Sequence, residues 1–151
     1  MGLLHSSLQT VAGAIQHTLG ADVEVKDHPG RFTERELGQI VKKRKAVRVA
    51  IEAIDTIQVQ GNGQKRTQVQ FNAFVMCADQ PGQDRHEAAL AIVETLAATL
   101  PFANWGDAET FRAVAPATID IQNLYSGEVE GKGIAWWAVS WTQGISGTQG
   151  E

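Results

Sequence analysis

Histidine and cysteine, the residues that most often bind metals or act as nucleophiles, are few and scattered in this 151-residue chain. The histidines are His5, His17, His28 and His86, and no two of them have the spacing of a zinc motif. The single cysteine, Cys77, lies among apolar residues. A thiol becomes a nucleophile where a nearby cation or helix N-terminus lowers its pKa. We therefore predict no metal site and a buried, inert thiol.

Carboxylates and glycine-rich turns also form no recognisable catalytic arrangement. Asp107 and Glu109 lie in a polar loop, and Asp120 lies in a predicted strand between two isoleucines. Residues 61–63, Gly-Asn-Gly, are similar to the start of a dinucleotide-binding turn, but a strand follows them where that motif requires a helix. Nucleophile-elbow and phosphate-loop motifs do not occur. The sequence therefore predicts no catalytic residue and no cofactor, and no constellation of residues supports an enzyme.

Composition argues against two kinds of partner. Thirteen basic and seventeen acidic side chains give a formal net charge of -4, whereas non-specific nucleic-acid binding depends on clustered Lys and Arg. One basic run, at residues 42–45, lies at a predicted helix end, where cations complement the helix dipole. No run approaches the roughly 20 apolar residues of a membrane span. We expect a protein that neither binds nucleic acid strongly and non-specifically nor spans a membrane.

The hydrophobic pattern predicts three helices. Apolar residues recur every three or four positions between residues 3 and 19, as on one face of a helix. Thr33 and Glu36 match a capping box, which predicts a second helix that ends near residue 43. A third apolar stripe predicts a helix over residues 84–100.

Alternation of apolar and polar residues predicts the strands. Two alternating runs joined by a Gly-Asn-Gly turn indicate a long antiparallel hairpin over residues 46–78, with a polar tip expected to extend beyond the core. Further strands are predicted at 118–126 and 134–141. We expect a single α+β domain, an antiparallel sheet built from hairpins with the helices packed on one face, and a frayed tail from about residue 144 to residue 151.

Three of the four tryptophans lie in one predicted strand. Strand alternation places Trp137 and Trp141 on one face and Trp136 on the other, so they do not form one stacking platform. Both faces of the strand are apolar. This indicates a strand covered on both sides, by a helix of its own chain or by a neighbouring chain.

Six segments follow one another along the chain: AVRVAI from Ala46, FNAFVMCAD, RHEAALAIVETL, the loop with Trp105 and Gly106, IQNLYSG and GKGIAWWAVSWTQ. Their order resembles that of the tail terminator (tail-completion) proteins of long-tailed bacteriophages, particularly the Mu-like contractile-tail group. The resemblance covers about residues 3–145. Lys45 departs from the pattern, which has a proline before AVRV.

The resemblance implies an α+β protomer that assembles into a ring, usually a hexamer, at the head-proximal end of the tail tube. Such a ring stops tube polymerisation and offers a surface to the neck or connector protein and, in contractile tails, to the last ring of the sheath. DNA passes through the central hole without specific binding, and no catalysis is expected. The protein would be a component of the virion tail, present in the host cytoplasm during assembly.

A ring requires a heterologous interface, in which two different surfaces of each protomer meet. The polar hairpin tip and the tryptophan strand supply our candidate interface residues. Two alternatives stay open: another tail or neck (head–tail joining) component, and a soluble α+β ligand-binding or enzyme domain of an unrecognised family. The candidate interface residues are Gln58, Gln60, Asn62, Lys65, Arg66, Trp136 and Trp141.

Overall fold

One sheet with helices on both faces forms this protein. The computed structural model describes residues 2–59, 64–125, 127 and 131–148. The α+β class is confirmed. Within the described residues the elements are, in chain order, α1 (Leu3–Leu19), β1 (Glu24–Asp27), α2 (Glu34–Lys43), β2 (Lys45–Val59), β3 (Gln64–Ala78), α3 (Arg85–Thr99), a 3-10 turn (Pro116–Thr118), β4 (Asp120–Asn123) and β5 (Ile134–Thr148).

The sheet is mixed rather than wholly antiparallel. Its strand order is β1-β2-β3-β5-β4, and the predicted β2–β3 hairpin is confirmed. The additional strand β1 pairs with the first residues of β2 in parallel. Parallel neighbours need a crossover connection, and the segment that contains α2 supplies it. The strand predicted over residues 118–126 is shorter, because a 3-10 turn precedes it.

The helices begin where the capping signals predict. α1 spans the predicted residues. At α2 the backbone N–H of Glu36 donates to Thr33 Oγ1, and the backbone N–H of Thr33 donates to Glu36 Oε1, both at 3.2 Å. These reciprocal hydrogen bonds confirm the capping box. At α3 the Asp84 carboxylate accepts two backbone N–H groups of the first turn.

One face of the sheet packs against α1 and α3. The apolar residues of the alternating runs in β2 and β3 point to this face, as predicted, and β5 adds its own alternating set. Because two long helices cover it, this face holds the larger core of the described residues. Its buried side chains include Val47, Val49, Phe71, Val75, Val139 and Trp141 from the sheet, and Val11, Ile15, Ala89 and Leu96 from the helices.

The opposite face packs against α2, so the prediction that all helices lie on one face is wrong. Leu37 and Ile40 of α2 join a second, smaller core on this face. Phe32, just before α2, packs edge-on against Phe74 and Trp136, with ring centroids 5.1 and 5.5 Å away. The crossover from β1 to β2 places α2 on this side of the sheet, where it packs against apolar strand residues. The tryptophan strand is therefore covered by its own chain on the α1/α3 face and, around Trp136, on part of the α2 face.

Strand β5 is longer than predicted. Residues 144–148, expected as part of a frayed tail, continue the strand and pair with β3 as far as Thr148, while residues 149–151 lie outside the described part. Glycine allows this continuation to pack closely. A Cβ on Gly147 would lie 2.7 Å from Leu3 Cδ2, so the missing side chain lets the start of α1 cover the strand.

His28 fixes the entry into α2. Its Nε2–H donates to Glu36 Oε2 at 2.6 Å, and its Nδ1 accepts the backbone N–H of Gly30 at 2.9 Å. The ring also stacks on Phe32, with centroids 4.1 Å apart. The hydrogen bond from His28, followed by the backbone N–H of Thr33, holds the pKa of Glu36 below its ordinary value. This histidine has a packing role in the entry to the helix.

The lowered pKa of Glu36 predicts an acid-sensitive contribution to stability. A carboxyl whose pKa is lower in the folded chain than in the unfolded chain stabilises the fold above the unfolded pKa, here near 4.5. That contribution is lost as pH falls through the folded pKa. We expect the difference in unfolding free energy between wild type and Glu36→Gln to shrink as pH falls from about 5 to about 3. Urea titrations across this range measure it, and a difference independent of pH would contradict the assignment.

We expect alanine substitutions of the two tryptophans on the α1/α3 face to lower stability by different amounts. Trp141 is 1% exposed and stacks on Phe71 with centroids 5.6 Å apart, whereas Trp137 is only partly buried at the core margin. Trp141→Ala is expected to lower the unfolding free energy by about 3–5 kcal/mol, as for a buried aromatic residue. Trp137→Ala is expected to cost clearly less. Denaturant unfolding of both variants checks this order, and equal losses would refute it.

Candidate assembly surfaces

The predicted hairpin tip is supported by a third strand. β3 pairs with β2 on one side and with β5 on the other along its whole length. Gln58 lies opposite Arg66 in the β2–β3 pairing, and Lys65 directly precedes Arg66 in β3. Gln60 and Asn62 lie outside the described residues. A role for these five residues in an interface stays a prediction.

The two tryptophans predicted for the interface lie in different environments. Trp136 is half-buried on the α2 face, against Phe32 and Phe74. Its indole N–H is buried without a hydrogen-bond acceptor among the described residues. Trp141 lies in the larger core. Since its side chain packs within the protomer, Trp141 does not belong to a protein surface, which contradicts its place among the interface candidates.

A buried glutamine on β5 holds the loop that joins α3 to β4. Gln143 is 1% exposed. Its Nε2 donates to the carbonyl oxygens of Ala103 and Arg112, at 3.1 and 2.6 Å. Its Oε1 accepts the indole N–H groups of Trp105 and Trp141, at 2.9 and 3.3 Å. Because a carbonyl only accepts and an indole N–H only donates, one amide orientation satisfies all four hydrogen bonds.

Backbone hydrogen bonds also hold the α3–β4 loop. The N–H of Phe102 donates to the carbonyl of Val114 at 2.8 Å, and the N–H of Val114 donates to the carbonyl of Ala103 at 3.0 Å. The two arms of the loop are thus joined to each other. The second arm also pairs with β5 at Gly144 and Ser146. The loop is therefore part of the folded frame.

Two bulky residues in this loop have a left-handed backbone. The φ angle is 63° at Phe102 and 58° at Trp105. This conformation is unfavourable for a side chain with a Cβ, so it persists where surrounding contacts determine it. Trp105 packs near Trp141, at a centroid distance of 6.1 Å, whereas the Phe102 side chain is 72% exposed. The loop consequently holds one aromatic side chain out into solvent.

The two chain segments that meet at Phe102 and Val114 contain no charged residue. Ala113 and Ala115 flank its backbone partner Val114, and both are exposed. No charged residue occurs in the segments 101–106 and 113–119. An aromatic side chain within an uncharged surface is typical of the centre of a protein interface. We call this surface the Phe102 patch, defined as Phe102, Ala113, Ala115, Pro116 and Ala117.

A groove opens between the C-terminal end of α1 and the first half of α3. Its volume is about 190 Å³. At its rim Lys45 Nζ lies 2.8 Å from Asp22 Oδ2, so the rim charges neutralise each other. We call it the α1–α3 groove, and its lining is mixed, with polar and apolar side chains: Thr18, Leu19, Asp22, Val23, Lys45, Ala88, Ala91, Ile92 and Thr95.

The remaining part of the α2 face is open and polar. Glu52 on β2 and Asp120 on β4 contribute to the lining of a shallow cavity of about 270 Å³ there. Two strands separate their positions, which at about 4.8 Å per strand places their backbones roughly 14 Å apart. The two carboxylates are therefore too far apart to bind one metal ion directly. In the described part of the chain, no cluster of three or more His, Cys, Asp or Glu side chains suits a metal.

Other predicted reactive groups are paired or buried. Burial raises the pKa of the Cys77 thiol to about 12, which confirms a buried and unreactive cysteine. In the basic run, Lys43 Nζ lies 3.6 Å from a Glu24 carboxylate oxygen. The described helices include none that is long and apolar enough to span a membrane.

Sequence reasoning missed Phe102 and Gln143 for different reasons. The alternation that places Trp141 in the core also places Gln143 on the same face. A polar residue at a buried strand position could have identified Gln143 as a hydrogen-bonding residue of the core. It was not used because the strand was predicted to end at residue 141. For Phe102 the only signal was the absence of charge around it, since sequence alone does not distinguish an exposed phenylalanine from a buried one.

Gln143 predicts a measurable stability effect. Gln143→Leu would leave two indole N–H groups and the Arg112 carbonyl oxygen without their partner, while the Ala103 carbonyl keeps the N–H of Val114. Each buried unpaired group costs about 1–3 kcal/mol. We expect the unfolding free energy to fall by at least about 3 kcal/mol. Gln122→Leu, at an exposed position of β4, is the matched control and should change it by less than about 0.5 kcal/mol. Similar small effects of both substitutions in denaturant titrations would contradict the role of Gln143.

Similarity to known proteins does not assign this chain to a family. Comparison with models of protein families and with curated proteins found no match. A functional assignment therefore depends on the pattern of the sequence and on the surfaces of the fold.

Proposed function

We propose that this protein is a tail terminator of a long-tailed bacteriophage. In this role it forms a ring, usually a hexamer, that caps the head-proximal end of the tail tube, stops tube polymerisation and joins the neck. The observation that carries the proposal is the succession of segments from AVRVAI at Ala46 to GKGIAWWAVSWTQ at Gly131, which resembles that protein family over most of the chain.

The surfaces of the protomer support a role in assembly. A ring needs two different surfaces that meet between neighbouring copies. The Phe102 patch and the α1–α3 groove are two such surfaces, one projecting and one concave, and they lie on different parts of the chain. The long paired strands and the fixed α3–β4 loop supply a rigid frame, which favours a regular assembly since little ordering is needed on association.

The proposal names a set of partners. They are further copies of the chain, the tail tube protein, the neck or connector protein and, in contractile tails, the sheath. DNA passes through the central hole without specific binding. The formal net charge of -4 suits this passage, because attraction to phosphate groups requires an excess of basic side chains.

Tail length in the absence of the protein tests the proposal. Removing the gene from its phage should give over-long tails of variable length, because nothing then stops tube polymerisation. Negative-stain electron microscopy measures the length distribution, and supply of the wild-type chain from a plasmid should restore a single length. Tails of normal length that fail to join heads would indicate a neck component instead. Normal, infectious particles would exclude a role in the tail.

A further inference from the structure

We infer that a polar recess on the α2 face binds the guanidinium group of an arginine side chain from a different protein. The recess is the shallow cavity of about 270 Å³ on the part of this face that α2 leaves open. Binding there does not depend on the terminator role and can be tested on the purified chain. The polar lining of the recess is formed by Glu52, Gln70, Asn72, Asp120, Gln122 and Ser140.

The described lining of the recess is acidic and contains no basic side chain. Glu52 and Asp120 both belong to it, and neither forms an ion pair with another described residue. Arg31 lines a neighbouring cavity together with Glu52, but that cavity includes neither Asn72 nor Asp120. Because a recess lined by one sign of charge attracts the opposite sign, the two carboxylates favour a cationic occupant.

A buried amide in the recess has an unpaired acceptor. Asn72 is 5% exposed, and its Nδ2 donates to Glu52 Oε1 at 2.8 Å. Since an ionised carboxylate only accepts hydrogen bonds, this contact fixes the orientation of the amide. Oδ1 is the other end of the amide, and it has no donor among the described residues. An unpaired buried carbonyl costs free energy, which an occupant with an N–H group that reaches this oxygen would recover.

The spacing of the acceptors suits a guanidinium better than a smaller cation. Asn72, Ser140 and Asp120 lie opposite one another on β3, β5 and β4, so two strand spacings, about 10 Å, separate the first from the last. The Glu52 carboxylate, bonded to Asn72, lies at the first end of this row. A metal ion needs its ligands within about 2.6 Å, and an ammonium is a compact point charge. A guanidinium is a wider, planar group whose five N–H donors can reach acceptors on both sides.

The occupant is a side chain of a protein rather than a free small molecule. Sites for small molecules are clefts of about 300–1,000 Å³ that bury most of the ligand, whereas this recess is smaller and open. A side chain can enter such a recess while its backbone stays outside. Since this chain has a formal net charge of -4, its charge attracts a basic segment of another protein more than a second acidic copy.

Titration of the isotope-labelled chain with Nα-acetyl-arginine methylamide, followed by two-dimensional NMR, tests the site. We expect saturable shifts of the side-chain amides of Asn72 and Gln122 and of the backbone amides of residues 138–141. The lysine counterpart of the probe should bind at least about 5-fold more weakly, the scale of one exposed charge contact. The citrulline counterpart, which has a similar shape without the charge, should not saturate the site.

Charge-neutralising variants locate the binding. Glu52→Gln and Asp120→Asn should each weaken binding of the arginine probe at least about 5-fold, because each removes one carboxylate charge at nearly constant shape. Glu94→Gln is the matched control, since it removes the same charge at an exposed position of α3, on the other side of the sheet. At about 0.15 M salt it should change the affinity less than about 2-fold, because distant charges are screened. Unfolding curves verify that each variant folds.

Four results would overturn the inference. Equal shifts with the arginine and citrulline probes would show that charge does not matter, and equal binding of the lysine probe would reject selectivity for a guanidinium. Equal losses in Asp120→Asn and Glu94→Gln would reject this location. Shifts of the same signals with protein concentration alone, without a probe, would assign the arginine to a second copy and reject a different protein as the partner.

The site and the proposed function fail separately. Saturable, charge-dependent binding, together with normal tails when the protein is missing, would retain the site and reject the terminator. Over-long tails without the protein, together with no saturable binding of the arginine probe, would retain the terminator and reject the site.

Discussion

The four hydrogen bonds of Gln143 hold the α3–β4 loop, and this loop carries the exposed Phe102 side chain. They join β5 to both arms of the α3–β4 loop through Ala103, Trp105 and Arg112. A left-handed phenylalanine or tryptophan is unfavourable on its own, and buried polar groups without partners also cost free energy. The fully satisfied amide offsets both and leaves one arrangement of the loop. The orientation of Phe102 is thus a consequence of a polar contact inside the core.

This arrangement requires a long β5. Gln143 reaches the loop because the strand continues beyond Trp141, and glycines lie in that continuation where side chains of neighbouring segments approach. A Cβ on Gly144 would lie 3.0 Å from Arg112 Cγ, and one on Gly147 would lie 2.7 Å from Leu3 Cδ2. The glycines that suggest a frayed tail in the sequence are therefore the positions where a loop and a helix close over the strand.

Local signals in the sequence predicted local structure well. The capping box at Thr33, the apolar stripe over residues 84–100 and the alternation in β2 and β3 act over short segments and gave the correct elements. The side of the sheet that α2 covers, the parallel pairing of β1 and the exposure of Phe102 depend on how distant segments pack, and no short pattern encodes them. The interface candidates show the same difference between local and long-range information. Alternation correctly placed Trp136 and Trp141 on opposite faces of the strand. Only the packing of distant segments shows that Trp141 is buried.

The central proposal is that different surfaces of one chain meet in a closed ring. Native mass spectrometry of the purified wild-type protein tests this most directly, since it counts copies. The account predicts one dominant closed species, near 98 kDa for a hexamer, six times the 16.3 kDa of one chain. A monomer at every concentration, or an unlimited series of larger species, would contradict it.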